Sequence, residues 1–198
     1  MSKFLLGICI LFSMAASGQK SVWKRTGTAE KIWVITHPFI AGKAYRISKK
    51  VLVVMDSLKK ANYFEGNTLS GSKCDAVRHA YWMATLTNQI GKRRALKLGK
   101  AHEKKNRKDF DKGVLEERFM PDQAAMNMDL KNNEKGAEIA LKFENQLLEK
   151  VLTALRNGEL WWIKQNEKGE FLDVNSSVIP LIEWSGKWNN QRILIPTN

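Results

Sequence analysis

Polar residues stand in line with the apolar stripes of three helical segments, and this restricts what the chain can fold into. Between residues 73 and 90, Asp75, Arg78, His79 and Trp82 lie at i, i+3, i+4 and i+7. Their line runs on through the core-like Met83, Leu86 and Ile90. Asp129, Asn132, Asn133 and Gly136 repeat the spacing, followed in line by Ala140, Phe143, Leu147, Val151 and Leu155. His102 follows Ala95 and Leu98 on the apolar side of a third segment, with Glu103 next to it. Burial is expected on such lines, and a polar group buried there without a partner is costly. The simplest packing lets the three helices converge so that these groups meet one another. Gly136, on the same face, lets a neighbouring helix or a ligand come close.

The remaining pattern is that of a helical domain. Residues 29–36 form an apolar run closed by His37-Pro38, a short helix or an extended entry. Residues 41–60 carry one stripe of Ala44, Ile47, Val51, Val54 and Leu58. The stretch 62–72 is rich in Gly, Asn and Ser and predicts a loop. Helices are expected over 73–90 with Gly91 as the stop, over 93–106, and over 123–156 with a stop at Asn157-Gly158. Residues 109–122 predict a loop. After Gly158 the period changes: the runs 160–163 and 171–174 flank Asn166 to Gly169 as a hairpin signal. The expected class is mainly α, with about four to five helices and a small C-terminal β-hairpin appendage. The expected division is 19–157 for the helical domain and 158–198 for the hairpin extension.

The first eighteen residues predict export. Lys3 gives a positive start, residues 4–16 are apolar but too short to span a bilayer, and Ala16-Ser17-Gly18 offer small residues for cleavage before Gln19. The product would be periplasmic or extracellular, about 180 residues long, and large enough for one domain with a real core. Removing Cys9 leaves Cys74 alone, so no internal disulfide is available and the fold must hold by packing. The seven Trp and eight Phe supply the apolar bulk.

The formal net charge is +13. Lys92, Arg93, Arg94, Lys97, Lys100, Lys104 and Lys105, with Arg107 and Lys108, concentrate that charge against the single acid Glu103. Such a face favours anionic partners, an acidic envelope polymer or a lipid surface. No nucleic-acid-binding motif is present.

Two histidines with carboxylates, an arginine and two amides can do chemistry. His79 and His102 suit proton transfer near neutral pH, and Asp75, Glu103 or Asp129 can orient them. Arg78 can bind a phosphate or carboxylate or stabilise developing negative charge, and Asn132 and Asn133 supply amide donors. The set fits a hydrolase-like activity on an envelope or extracellular ester, phosphodiester or amide, with water as nucleophile. The ligand types admit a divalent metal, but no metal-binding spacing such as HExxH names one, and adjacent His102 and Glu103 point about 100° apart on a helix. The alternative is a non-catalytic module that holds an anionic polymer or membrane through the basic helix. In that case the Asp-Arg-His-Asn set is a structural brace. Sequence alone leaves site and brace both open.

At these residues the chain resembles an uncharacterised bacterial family. The ordered motifs are Cys74-Asp-Ala-Val-Arg-His-Ala-Tyr-Trp82, Ala101-His-Glu103 and Met128-Asp-Leu-Lys-Asn-Asn133 with Gly136. The resemblance spans roughly residues 37–140 and is to a domain of unknown function in exported or surface proteins, sometimes at the ends of larger, toxin-like chains. It implies a mostly helical domain whose motif residues act together, and it brings no substrate.

Overall fold

The structure, a computed structural model, describes Trp23, residues 26–64, Gly66, residues 68–115 and residues 119–198; the expected signal peptide lies outside them. The described residues hold seven helices: α1 (Thr28–Thr36), α2 (Pro38–Lys60), α3 (Lys73–Ile90), α4 (Lys92–Asp111), α5 (Gln123–Lys142), α6 (Leu147–Arg156) and the short α7 (Leu181–Trp184). Two strands, β1 (Trp161–Ile163) and β2 (Leu194–Pro196), make an antiparallel sheet near the C-terminus. The mainly helical class with a small C-terminal sheet is the one the sequence predicts. No helix among the described residues is long and apolar enough to cross a membrane.

Local chemistry explains where the helices begin and end. Pro38 sits at the start of α2, where its missing N–H costs nothing. Ser72 caps α3 by accepting from the Asp75 amide at 3.2 Å, and Asp122 caps α5 by accepting from the Ala125 amide at 2.8 Å. Gly91, at φ +86°, turns α3 into α4 in a conformation that other residues rarely adopt. α4 continues to Asp111, five residues beyond its expected end, and takes over part of the predicted loop.

The main core is made by the inner faces of α2, α3, α5 and α6, with Ile47, Val51, Met55, Val77, Met83, Leu86, Ile139 and Val151 buried together. α3 is its central element: eleven of its residues are buried, and it packs on α2, α4, α5 and α6. α5 crosses it very closely. A methyl group at Gly136 would lie 2.1 Å from the carbonyl oxygen of Ala80, so only glycine fits that crossing.

Two features depart from the expected pattern. The single helix expected over 123–156 is two, because Phe143 leaves α5 with extended backbone and α6 starts again after Gln146 in the left-handed region. Asn88 donates to the Glu144 carbonyl at 3.0 Å and fastens the break to α3. The break lets Val151, Ala154 and Leu155 turn into the core, whereas Leu141 and Phe143 face solvent. The regular i+3/i+4 spacing across 140–155 hides it. In the C-terminal region a turn forms at Asn166–Gly169, where Gly169 N–H donates to Asn166 and Gln165 bridges Phe171. The strand that pairs with β1 is nevertheless β2, in the register Trp161 to Pro196, Trp162 to Ile195 and Ile163 to Leu194. A second core of Met128, Ile163, Phe171, Ile179 and Trp184 holds this region against α5. Arg192 locks it: the buried guanidinium pairs with Asp122 and lies 4.3 Å over the Phe171 ring.

Gly136→Ala is therefore expected to destabilise the fold by about 3 kcal/mol, near the upper end of the usual cost of overpacking. Denaturant unfolding read by circular dichroism measures it. A midpoint equal to that of the wild type would show that the α3–α5 crossing relaxes freely.

Candidate functional site

The close α3–α5 crossing brings the polar faces of both helices together. Asp75, in the first turn of α3, accepts from the Gly71 amide at 2.8 Å through Oδ2. Its Oδ1 lies 2.6 Å from Nη2 of Arg78 and 3.4 Å from Nε2 of His79. From α5, Oδ1 of Asp129 approaches the same His79 nitrogen at 3.3 Å. Asp75, His79 and Asp129 are all buried, and one ligand atom from each lies within 4.8 Å of the others.

Burial acts most strongly on His79 and lowers its pKa to about 3. Asp75 pulls it back up, and Arg78 and His102 push it down again, so the imidazole is neutral at physiological pH. Burial also opposes ionisation of Asp75, but the positive Arg78, the His79 contact and the Gly71 amide outweigh it and hold the carboxyl below its ordinary value. Asn133, fully buried on α5, lies beside this group. Neither atom of its carboxamide, nor Nδ1 of His79, has a partner in good hydrogen-bond geometry, although Asn133 is near enough to favour the protonated imidazole slightly.

The other histidine has a different partner from the one its sequence neighbour suggests. Nδ1 of His102 lies 2.9 Å from Oε1 of Glu30, a residue of α1 seventy-two positions away. Glu103 points elsewhere, is buried, and accepts from Asn106 at 3.2 Å. Glu30 is held at both ends: its other oxygen accepts from the Gly27 amide at 2.7 Å. Burial raises the Glu30 pKa, but His102, Gly27 and Lys105 together bring it below 4.5. The ring centroids of His102 and His79 are 6.5 Å apart, and Trp82 lies 6.0 Å from His102. Glu30 escapes sequence reading because an acid in a first helical turn looks like an ordinary cap.

A cavity of about 390 Å³ opens onto these groups. Arg78, His79, His102 and Glu30 line it together with the apolar Trp33, Val34, Val51, Leu52, Trp82 and Leu98. Ser48 also lines it, but its hydroxyl donates to the Ala44 carbonyl at 3.0 Å and accepts from Trp82 Nε1 at 2.8 Å, which does not equip it as a nucleophile.

Not every polar residue of the motifs reaches the cavity. Asn132 grips the backbone of Trp161, donating to its carbonyl at 2.8 Å and accepting from its amide at 2.9 Å. It thereby fastens β1 to α5. The basic residues form a separate surface. Arg93, Arg94, Lys97, Lys100 and Lys104 are exposed on α4, whereas Lys105 turns to Asp109. Lys92, Arg93, Arg94 and Lys97 line a second cleft with His37 and Gly91.

The family described as a domain of unknown function, DUF6973, matches residues 31–159. The chain belongs to that family. The match takes in α2 to α6 and all three polar motifs, and so covers a longer stretch than the motifs themselves. Neither a curated protein nor a solved structure matches the chain.

Because the folded pKa of Glu30 is lowered, its contribution to stability is present above about 4.5 and is lost as pH falls through the folded value. Wild-type melting temperature should therefore drop more steeply than that of Glu30→Gln on going from neutral pH to below 4. Parallel curves for the two proteins would remove the His102–Glu30 pair from the account.

Proposed function

We propose that this domain is an exported hydrolase that cleaves an ester whose acyl or alkyl part is apolar. One observation carries the reading: a carboxylate-held histidine, His102 with Glu30, lies on a cavity whose walls are mainly apolar, with Arg78, His79, Ser48 and Thr26 among its other polar lining. With Nδ1–H donated to Glu30, the lone pair falls on Nε2, which is the arrangement of an oriented general base. His102 takes a proton from water as the water oxygen attacks the carbonyl carbon. The carbonyl oxygen gathers negative charge, which the Arg78 guanidinium stabilises. The ester C–O bond then breaks, and the imidazolium returns the proton to the departing alkoxide. The cavity size is in the usual range for a small ligand, and its walls suit a hydrocarbon chain beside the reacting group.

A panel of p-nitrophenyl esters of rising chain length tests this. Turnover is expected, and His102→Ala should lower kcat by about a hundredfold or more. Glu30→Gln should lower it less, with the pH profile shifted. No turnover across the panel, or equal turnover by His102→Ala, would overturn the proposal.

A second reading rests on the surface next to the cavity. The basic cleft of Lys92, Arg93, Arg94 and Lys97 adjoins the α1–α2 junction, where Phe39 is 99 % exposed and Ile35 is 67 % exposed. Cations beside bare apolar side chains suit an anionic lipid surface. Cosedimentation with phosphatidylglycerol vesicles should be strong at low salt and fall steeply by 0.3 M or so. Equal binding to neutral vesicles would count against a charge-led contact.

A further inference from the structure

Nε2 of His79 has an unusual set of neighbours. A single nitrogen lies 3.4 Å from Oδ1 of Asp75, 3.3 Å from Oδ1 of Asp129 and 3.4 Å from Nη2 of Arg78. It can donate one proton to one carboxylate, or accept one from the guanidinium, so it cannot serve all three. Both histidine–carboxylate contacts are longer than a good charge-assisted hydrogen bond, which is about 2.7–2.9 Å. The distances match a different arrangement. A zinc ion bound at about 2.0–2.1 Å by four ligands keeps those ligands about 3.3–3.4 Å apart, the edge of a tetrahedron. Magnesium, octahedral at about the same radius, would bring neighbouring ligands to about 3.0 Å, and calcium takes oxygen donors almost alone.

We propose that His79, Asp75 and Asp129 form a binding site for a zinc-like divalent cation. The imidazole nitrogen and the two carboxylate oxygens supply three ligands, and the cavity side, lined by His79 and Arg78, leaves a fourth position for water or substrate. The ligands come from two helices locked together at Gly136, so the separation is set by the backbone crossing. A second observation points the same way. The carboxamide of buried Asn133, with no partner in good geometry, lies beside His79, where it can orient the ring once the ion is bound.

Arg78 now supplies the positive charge. Its Nη2 lies against both Oδ1 of Asp75 and Nε2 of His79, which is the place a cation would take. A quarter of its side chain is exposed, and it borders a cavity with room to receive it. Ion binding therefore displaces the guanidinium from Asp75 toward the cavity, where it can meet an anionic group of the substrate. The site stands independently of the His102–Glu30 reading.

Titration of the untagged, chelator-stripped full chain with Zn²⁺ by isothermal calorimetry tests it, with melting temperature followed in parallel. One ion per chain is expected, with a raised melting temperature. The isosteric Asp129→Asn and the variant His79→Gln should each weaken binding by at least about tenfold, with helical circular dichroism retained. Arg78→Met, which removes the competing cation, should bind more tightly than the wild type. His102→Ala should bind as the wild type does, even where it has lost esterase turnover, which separates the two proposals. No binding by the wild type, or binding unweakened in both Asp129→Asn and His79→Gln, would overturn the site. If Arg78→Met does not fold, the other variants still decide.

Discussion

The whole arrangement depends on how closely α5 can approach α3. Gly136 places its Cα directly against the Ala80 carbonyl, with no room for a methyl group between them. At that separation short side chains can span the gap between helices. Asp129 reaches His79, and Asn133 lies beside it, although aspartate and asparagine extend only a few atoms from the backbone. A wider crossing would leave these groups apart, each buried without help. The same approach seals Ala76, Val77, Ala80, Met83 and Ala137 from water, so the apolar and polar parts of the interface form through one contact.

Burying this much polarity is expensive, and the chain limits the cost unevenly. Asp75 is well supported by a backbone amide and a guanidinium, and it keeps its charge. Asn132 and the Asp122–Arg192 pair are supported just as fully and hold the C-terminal sheet to α5. Nδ1 of His79, both carboxamide atoms of Asn133 and the Thr87 hydroxyl have no partner in good geometry. A brace gains from complete pairing, because each unpaired atom costs about 1–3 kcal/mol. His79 and Asn133 lack that complete pairing at the centre of the motifs, which accords with the proposed ion site.

Much of this was legible in the residues. The helix starts near residues 73 and 123, the stop at Gly91 and the shared faces of Asp75, Arg78 and His79 follow from local spacing, and local spacing was enough to place them; the caps at Ser72 and Asp122 come from the structure. Long-range choices were not visible. Nothing in the sequence pairs His102 with Glu30, because the contact depends on α1 folding over α4, where Trp33 Nε1 donates to the Arg94 carbonyl. Asn132 and Asn133 look alike as neighbours in a motif, yet one serves the sheet and the other the buried cluster. The helix break at Phe143 was hidden because both halves keep the same period. The preference of β1 for β2 over the nearer segment 171–174 is likewise a tertiary choice, made by the core around Ile163 and Phe171.

The division between the two histidines follows from their depth. His79 is buried at the α3–α5 interface, and burial keeps it neutral, which suits a ligand or an orienting group better than a base. His102 sits nearer the opening, keeps a carboxylate on Nδ1, and is partly exposed on the cavity side. Arg78 joins the two regions: it pairs with buried Asp75 and borders the cavity that His102 also lines. The buried cluster and the cavity therefore share the Arg78 side chain.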